Sequence, residues 1–238
     1  MGSHEEPLQT RSRRERPAKS ALSRDGIIAA ALTILRDEGL EKVTMRRLAA
    51  ALDTGAASLY VYVRDTEDLH AQVLDALLGS VGDAVPPDGT WRERIVGALM
   101  GYVRTLFEYP GIARITLFTQ PSGPNYLALI DLLLGLLHEG GVPDRDAAWA
   151  VDQLLQYATA TAAEQSVRHR SARVVADIAS LSDTIATIDA TRYPHIARLG
   201  GELTGGGGER FRWGLDLLLN GILATPRPPL AANSQGKE

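Results

Sequence analysis

The sequence predicts an all-α protein in two parts. Three observations carry this. Apolar residues recur at three- and four-residue spacing along most of the chain, and no segment reads as a credible strand. Leu and Ala are scattered throughout while aromatics make up only 5%, a balance that favours helix over sheet. A Pro- and Gly-rich break, "VPPDGT" at 85–90, separates short helices from longer ones. With 238 residues and 45% hydrophobic content, the chain can build a sizeable core as one large domain or two smaller ones.

The elements follow in order. Residues 1–22 are charged, polar and interrupted by Pro7 and Pro17, and are expected to be a flexible basic arm. Ser23 can cap a first helix carrying Ile27, Ala30, Ala31, Ile34 and Leu35, which Gly39 ends. Thr44 can cap a second, with Met45, Leu48, Ala49 and Leu52 on one face. Asp53-Thr54-Gly55 is a turn, and a third helix is expected to about Val63. Asp65 can cap a fourth from about Thr66 to Gly79, with Leu69, Val73 and Leu77 inward. Beyond the break, a helix is expected over 91–108, ended by Pro110-Gly111, then a short one over 112–119. Residues 125–138 are nearly all apolar and are expected to be buried all round. A long helix from Asp144 to His169 would span roughly 35 Å. Helical patterns follow at 172–188 and in "YPHIARLGGEL", then a flexible "TGGGG" link at 204–208. A last helix is expected over 209–224, with 226–238 a disordered tail.

Composition excludes several classes. There is no Cys, hence no disulfide framework and no thiolate metal site. No apolar run is long enough to cross a membrane, and the N-terminus lacks the order of a signal peptide, so the cytoplasm is the expected location. The net charge of −4 hides an asymmetry. Arg11 to Arg64 holds 11 Lys or Arg against 6 Asp or Glu, a local +5, and the remainder carries −9. The densest part, "RSRRERPAKSALSR" at 11–24, is either a solvated tail or an arm that lies on phosphate.

The second and third helices read as a helix-turn-helix. Leu48, Ala49, Leu52, Leu59 and Val63 would bind the pair to the first helix, leaving Ser58, Tyr60, Val61 and Tyr62 outward. Gly55, Ala56 and Ala57 are small enough to let a helix N-terminus approach a major groove, and its positive end favours phosphate. Three hydroxyls could donate to phosphates or base edges. An ordinary helical hairpin with exposed tyrosines has the same pattern.

Residues 23–69 also resemble the DNA-binding domain of the tetracycline-repressor family. "SRDGIIAAALTILRDEGLEKVTMRRLAAAL" is similar to its opening helices, and "SLYVYVRDTEDL" to its recognition helix and the cap that follows. The resemblance implies a homodimeric repressor, released from a palindromic double-stranded operator when a small molecule enters its C-terminal helical domain. It implies a helix-turn-helix DNA-binding domain over 23–70 and an effector-binding and dimerisation domain over 71–225. By it, Thr44, Tyr60 and Tyr62 touch DNA backbone and Ser58 reaches base or backbone. Arg46 and Arg47 stand where family members contact groove or phosphate. Two positions depart from the family: Asp53 often is Gly, and Thr66 usually is a phosphate-binding Lys, a loss that Arg64 and the arm could offset. "FRWGLDLLLNGIL" looks like the family's final dimer helix.

The resemblance leaves the effector open. Candidates to line a pocket are Tyr102, Phe107, Phe118, His138, Trp149, Gln153, Gln156 and Tyr157, amides and phenols suited to a molecule of mixed polarity. The long helix offers Ala147, Val151, Leu154, Leu155, Ala158 and Ala162 to a four-helix dimer interface. The last offers Phe211, Leu215, Leu218, Leu219, Ile222 and Leu223, with Gly214 and Gly221 for close approach. No cofactor or metal is expected. The five His lack metal spacing, the glycines at 205–208 lack the Lys-Ser or Lys-Thr of a phosphate loop, and no Ser-His-Asp grouping sits in a motif. The sequence thus reads as a ligand-responsive regulator rather than an enzyme. One rival is a helical small-molecule-binding protein without DNA binding; the other, disfavoured by the missing motifs, is a helical enzyme.

Overall fold

The computed structural model describes residues 22–119, 121–204, 207–225 and 228. The arm with Arg11, Arg13, Arg14, Arg16 and Lys19, and nearly all of the 226–238 tail, lie outside the described residues. Within them the chain forms eleven α-helices and no strand.

α1 (Arg24–Glu38), α2 (Met45–Ala51) and α3 (Ala56–Leu59) form the N-terminal unit with the start of α4 (Thr66–Leu78). Local capping chemistry sets their starts. The Ser23 hydroxyl accepts from the Gly26 N–H, Thr44 from Arg47 and the Asp65 carboxylate from Asp68. Gly39, at φ 87°, ends α1 in a conformation that favours glycine. Ile27, Leu48, Leu59 and Leu69 are fully buried and lock the four helices together. α4 continues past this unit and packs against α7, so one helix belongs to both halves.

The C-terminal half is built on α5 (Trp91–Glu108), which opens with a capping box of Thr90 and Glu93. α5, α6 (Pro110–Thr116), α7 (Pro124–Glu139) and α8 (Asp144–Arg170) enclose a core of Ile95, Leu99, Ile112, Leu133, Leu137 and Leu154. α9 (Ala172–Ala186) and α10 (Pro194–Thr204) pack on each other, and α9 packs on α8. α11 (Gly207–Ala224) returns along α8 and α5.

Four expectations are corrected. α3 ends at Leu59, and residues 60–63 close a tight turn in which the Tyr62 and Val63 N–H groups both bond to the Leu59 carbonyl. α5 ends at Glu108 as expected, but the short helix after it runs Pro110–Thr116 rather than 112–119, with Pro110 as its first residue, where the missing N–H costs nothing. α7 is not buried all round: Leu127, Ala128, Asp131 and Gly135 form an exposed stripe. The last two glycines of the expected link, Gly207 and Gly208, are the first residues of α11.

Asp53 is the single non-glycine residue with positive φ among the described residues, at 47°. The turn needs left-handed backbone, and a short polar side chain tolerates it best after glycine. Asp53→Val should therefore lower stability by about 1–3 kcal/mol, read as a reduced urea midpoint at unchanged slope. Asp53→Gly should not.

Candidate nucleic-acid interface and effector cavity

The N-terminus of α3 stands clear of the core. Ala56, Ala57 and Ser58 are exposed, and beyond them Tyr60 is 55% and Val61 79% exposed. An exposed valine beside an exposed phenol, on a surface of small residues, leaves apolar and hydrogen-bonding groups facing outward together. Leu59 and Val63, both buried, fix the backbone behind them. Arg46 is exposed on the same domain, on α2. Thr44 uses an oxygen lone pair on the Arg47 N–H, 3.2 Å away, and keeps its hydroxyl hydrogen for another acceptor.

Three of the residues singled out from sequence are held by partners within the chain. The Arg47 Nε donates to both carboxylate oxygens of Glu38 at 3.1 Å, joining α2 to the end of α1. That hydrogen bonding and the charge of Arg47 hold the Glu38 carboxyl below its usual range and raise Arg47 further. Arg64 donates to Asp68 through its backbone N–H at 2.9 Å and its guanidinium at 3.3 Å. Tyr62, expected to look outward, is half-buried and donates its hydroxyl to the Leu22 carbonyl at 2.8 Å. A phenol turned toward the domain needs an acceptor, and the chain entering α1 supplies one.

The second site is a cavity of ≈ 600 Å³ among α5, α6, α7 and α8. Tyr102 and Gln156 line it, as does Tyr126. Tyr102 is buried, its hydroxyl 2.8 Å from the Thr159 Oγ1, and burial pushes the phenol well above its ordinary pKa. Tyr126 is also pushed up, first by burial and then by the nearby Asp152. Both phenols stay protonated and able to donate. Thr116, Thr119 and Asp152 add polar groups to a wall of Ile130, Leu134, Val151 and Leu155.

The other pocket candidates are elsewhere. Phe118 is 87% exposed after α6, although its neighbours Leu117 and Thr119 line the cavity. Trp149 and Gln153 line a shallow groove against α11. Tyr157 stacks on Phe211, ring centroids 5.3 Å apart, and packs so tightly on α11 that a Cβ at Gly214 would lie 2.0 Å from its hydroxyl. His138 pairs with Asp144 at 3.0 Å on the surface, and Phe107 lines a different cavity. Sequence reasoning missed Tyr126, Thr159 and Asp152. Asp152 stands one turn before Gln156 and Thr159 three residues after it, so the helical spacing of the long helix carried that signal.

One contact links the cavity to the N-terminal unit. Asp75, buried on α4, accepts the Tyr126 backbone N–H at 2.9 Å, and its own carbonyl accepts the Asn125 amide at 2.9 Å. α7 has no side-chain cap from its own Gly123, so the α4 carboxylate serves as the cap. Gly123 permits this approach: a Cβ there would lie 2.1 Å from the Asp75 carboxyl carbon.

Residues 27–73 match the family model described as bacterial regulatory proteins, tetR family. Residues 84–225 match that of the tetracyclin repressor-like C-terminal domain. The chain belongs to the TetR family. It is 28% identical to an HTH-type transcriptional regulator of Saccharopolyspora erythraea over 90% of each chain. A solved Streptomyces transcription regulator is 48% identical, covering 90% of this chain and 100% of that one, at a TM-score of 0.72. The Streptomyces coelicolor TetR-family protein ActR, crystallised in complex with actinorhodin, is 34% identical at a TM-score of 0.78, over 86% of this chain and 97% of its own. This TetR-family chain is accordingly a DNA-binding transcriptional regulator. Among its described residues no helix is long and apolar enough to cross a membrane.

Within the TetR frame, substitutions in α3 and just after it separate two kinds of contact. If its hydroxyl meets a phosphate, Tyr60→Phe should weaken binding to all duplexes alike, because such a contact carries no sequence information. Ser58→Ala should change base preference at one position of each half-site, by about 1–3 kcal/mol if the hydroxyl reads an edge. Binding of a randomised duplex pool reads both effects, and unchanged binding by both variants would rule this surface out.

Proposed function

We propose that the chain is a homodimeric repressor that holds a near-palindromic operator through two copies of the α2–α3 unit. It releases that operator when a small molecule enters the cavity among α5, α6, α7 and α8. Ser58, Tyr60, Thr44 and Arg46 make the first contacts. Arg47 and Arg64 join by exchanging carboxylate for phosphate, and Tyr62 acts from behind by fixing Leu22. The two recognition units must stand about 34–36 Å apart to enter successive major grooves, so a modest tilt of α4 breaks both contacts together.

The observation that carries this reading is the Asp75–Tyr126 contact. Tyr126 lines the cavity, and its N–H is held by the helix that enters the DNA-binding unit. A ligand that displaces Tyr126 therefore pulls on α4. The effector has hydroxyl or carbonyl groups on an apolar body, to match phenols and an amide set in an aliphatic wall. ActR's complex with actinorhodin makes that compound the first probe.

A ligand can release DNA only if it binds the released arrangement more tightly, and the coupling is reciprocal. Actinorhodin, or the strongest hit of a thermal-shift screen, should be titrated calorimetrically with and without an operator selected from random duplexes. Operator should weaken the ligand by the same factor that ligand weakens operator. Equal ligand affinity in both titrations would overturn the release mechanism.

A further inference from the structure

α5 separates two cavities. Tyr102 faces the one already described. On the opposite side, Val96, Met100, Val103 and Phe107 floor a larger trough of ≈ 1150 Å³. Its wall is the loop before α5, which lies tight on that helix: a Cβ at Gly97 would come within 2.6 Å of the Pro86 ring. The two ends of the trough differ in charge. Asp88 and Glu93 lie at the N-terminal end of α5, and hydrogen bonds from Thr90 keep the Glu93 carboxyl ionised below its ordinary range. Arg104 lies eleven residues along α5, about 16 Å away at the helical rise. There it meets Gln165 and Arg168 from α8 and Arg212 from α11. Arg168 is paired with Glu164 at 2.6 Å, while neither Arg104 nor Arg212 forms an ion pair with a carboxylate of the described residues.

We propose that this trough is a second ligand site, for an amphiphilic carboxylate whose apolar body lies along α5 and whose head sits between Arg104 and Arg212. Guanidiniums that pair with no carboxylate of the described residues, at the end of an apolar channel, suit a planar carboxylate, which accepts bidentate hydrogen bonds from them. The acidic far end orients the molecule, because it repels the head. A neutral alcohol of equal length gains the apolar burial but not the charged bonds. The site shares no lining residue with the α5–α8 cavity, so its occupancy is independent of the effector proposed above.

The test is calorimetric titration of the full chain with dodecanoate below its micelle concentration, against dodecan-1-ol and dodecyltrimethylammonium. Dodecanoate should bind at one site per chain, about tenfold or more tighter than either analogue, as charge-assisted bonds require. The paired substitution Arg104→Gln and Arg212→Gln, at exposed positions that should not disturb folding, should remove that preference. Met100→Trp should block binding by filling the floor. Gln156→Ala, in the other cavity, should leave dodecanoate affinity unchanged. No uptake, equal affinity for acid and alcohol, a preference that survives the double substitution, or a loss on Gln156→Ala would each overturn the proposal.

Discussion

Leu217→Arg is expected to give a monomer that no longer retains operator. Leu217 is 50% exposed on α11, and Trp213, one turn earlier on the same face, is 63% exposed. Leu217, Gly221 and Ile222 share a groove with Trp149 and Gln153 of α8. Large apolar groups lying together at the surface of one chain mark an interaction face. Gly221 has nothing within reach of an added Cβ, leaving room for another backbone to approach. A second copy of the same two helices would complete a four-helix interface here. An arginine at its centre would strand a charge without a partner, which costs several kcal/mol. Loss of the second half-site should then lower operator affinity by about 10²–10⁴, the gain that linkage of two binding units provides. Light scattering after size exclusion, with operator retention on the same sample, measures both. A variant that remains dimeric would place the interface elsewhere.

Asp75→Ala should give the second large effect, and of a different kind. The substitution removes the cap of α7 and leaves the part-buried Tyr126 N–H without its partner. The combined loss should be about 1–3 kcal/mol of unfolding free energy. The variant should still bind operator, because the recognition surface is untouched. Ligand should release it poorly, because the tie between cavity and α4 is gone. Asp75→Asn keeps a carbonyl oxygen for Tyr126 and should recover much of the coupling while losing the carboxylate's charge at the helix end. If Asp75→Ala and the unmodified chain respond equally to ligand, transmission runs through other contacts.

The parts of the fold readable in sequence are those decided within a few residues. Ser23, Thr44 and Asp65 cap because a short oxygen-bearing side chain before an apolar repeat has one nearby use, and Gly39 ends a helix for a similarly local reason. What failed was decided across helices. The stripe Ala147, Val151, Leu154, Leu155, Ala158 and Ala162 reads as well for a dimer face as for a core. The structure buries all six within the chain's own core. The exposed face of α8, with Trp149 and Gln153, is the opposite one. Among the pocket candidates, Gln153, Gln156 and Tyr157 are close in sequence, yet a helix turns about 100° per residue and delivers them to three surroundings. Tyr62 is half-buried rather than outward for the same reason. Its partner, Leu22, stands forty residues away.

The pair between Glu38 and Arg47 bears on how operator is told from other DNA. Under the docking proposed above, Arg47 reaches a phosphate only by leaving a carboxylate that already holds its guanidinium fork. A duplex that merely lies near the domain offers no phosphate at hydrogen-bond distance, and the pair stays closed. Only a register that seats α3 in the groove brings an oxygen close enough to compete. Glu38 thus withholds one positive charge from loose encounters, lowering affinity for the bulk of the genome more than for the operator. Glu38→Gln should tighten binding to unrelated duplexes and narrow the ratio between the two, so that the stickier protein would be the less discriminating repressor.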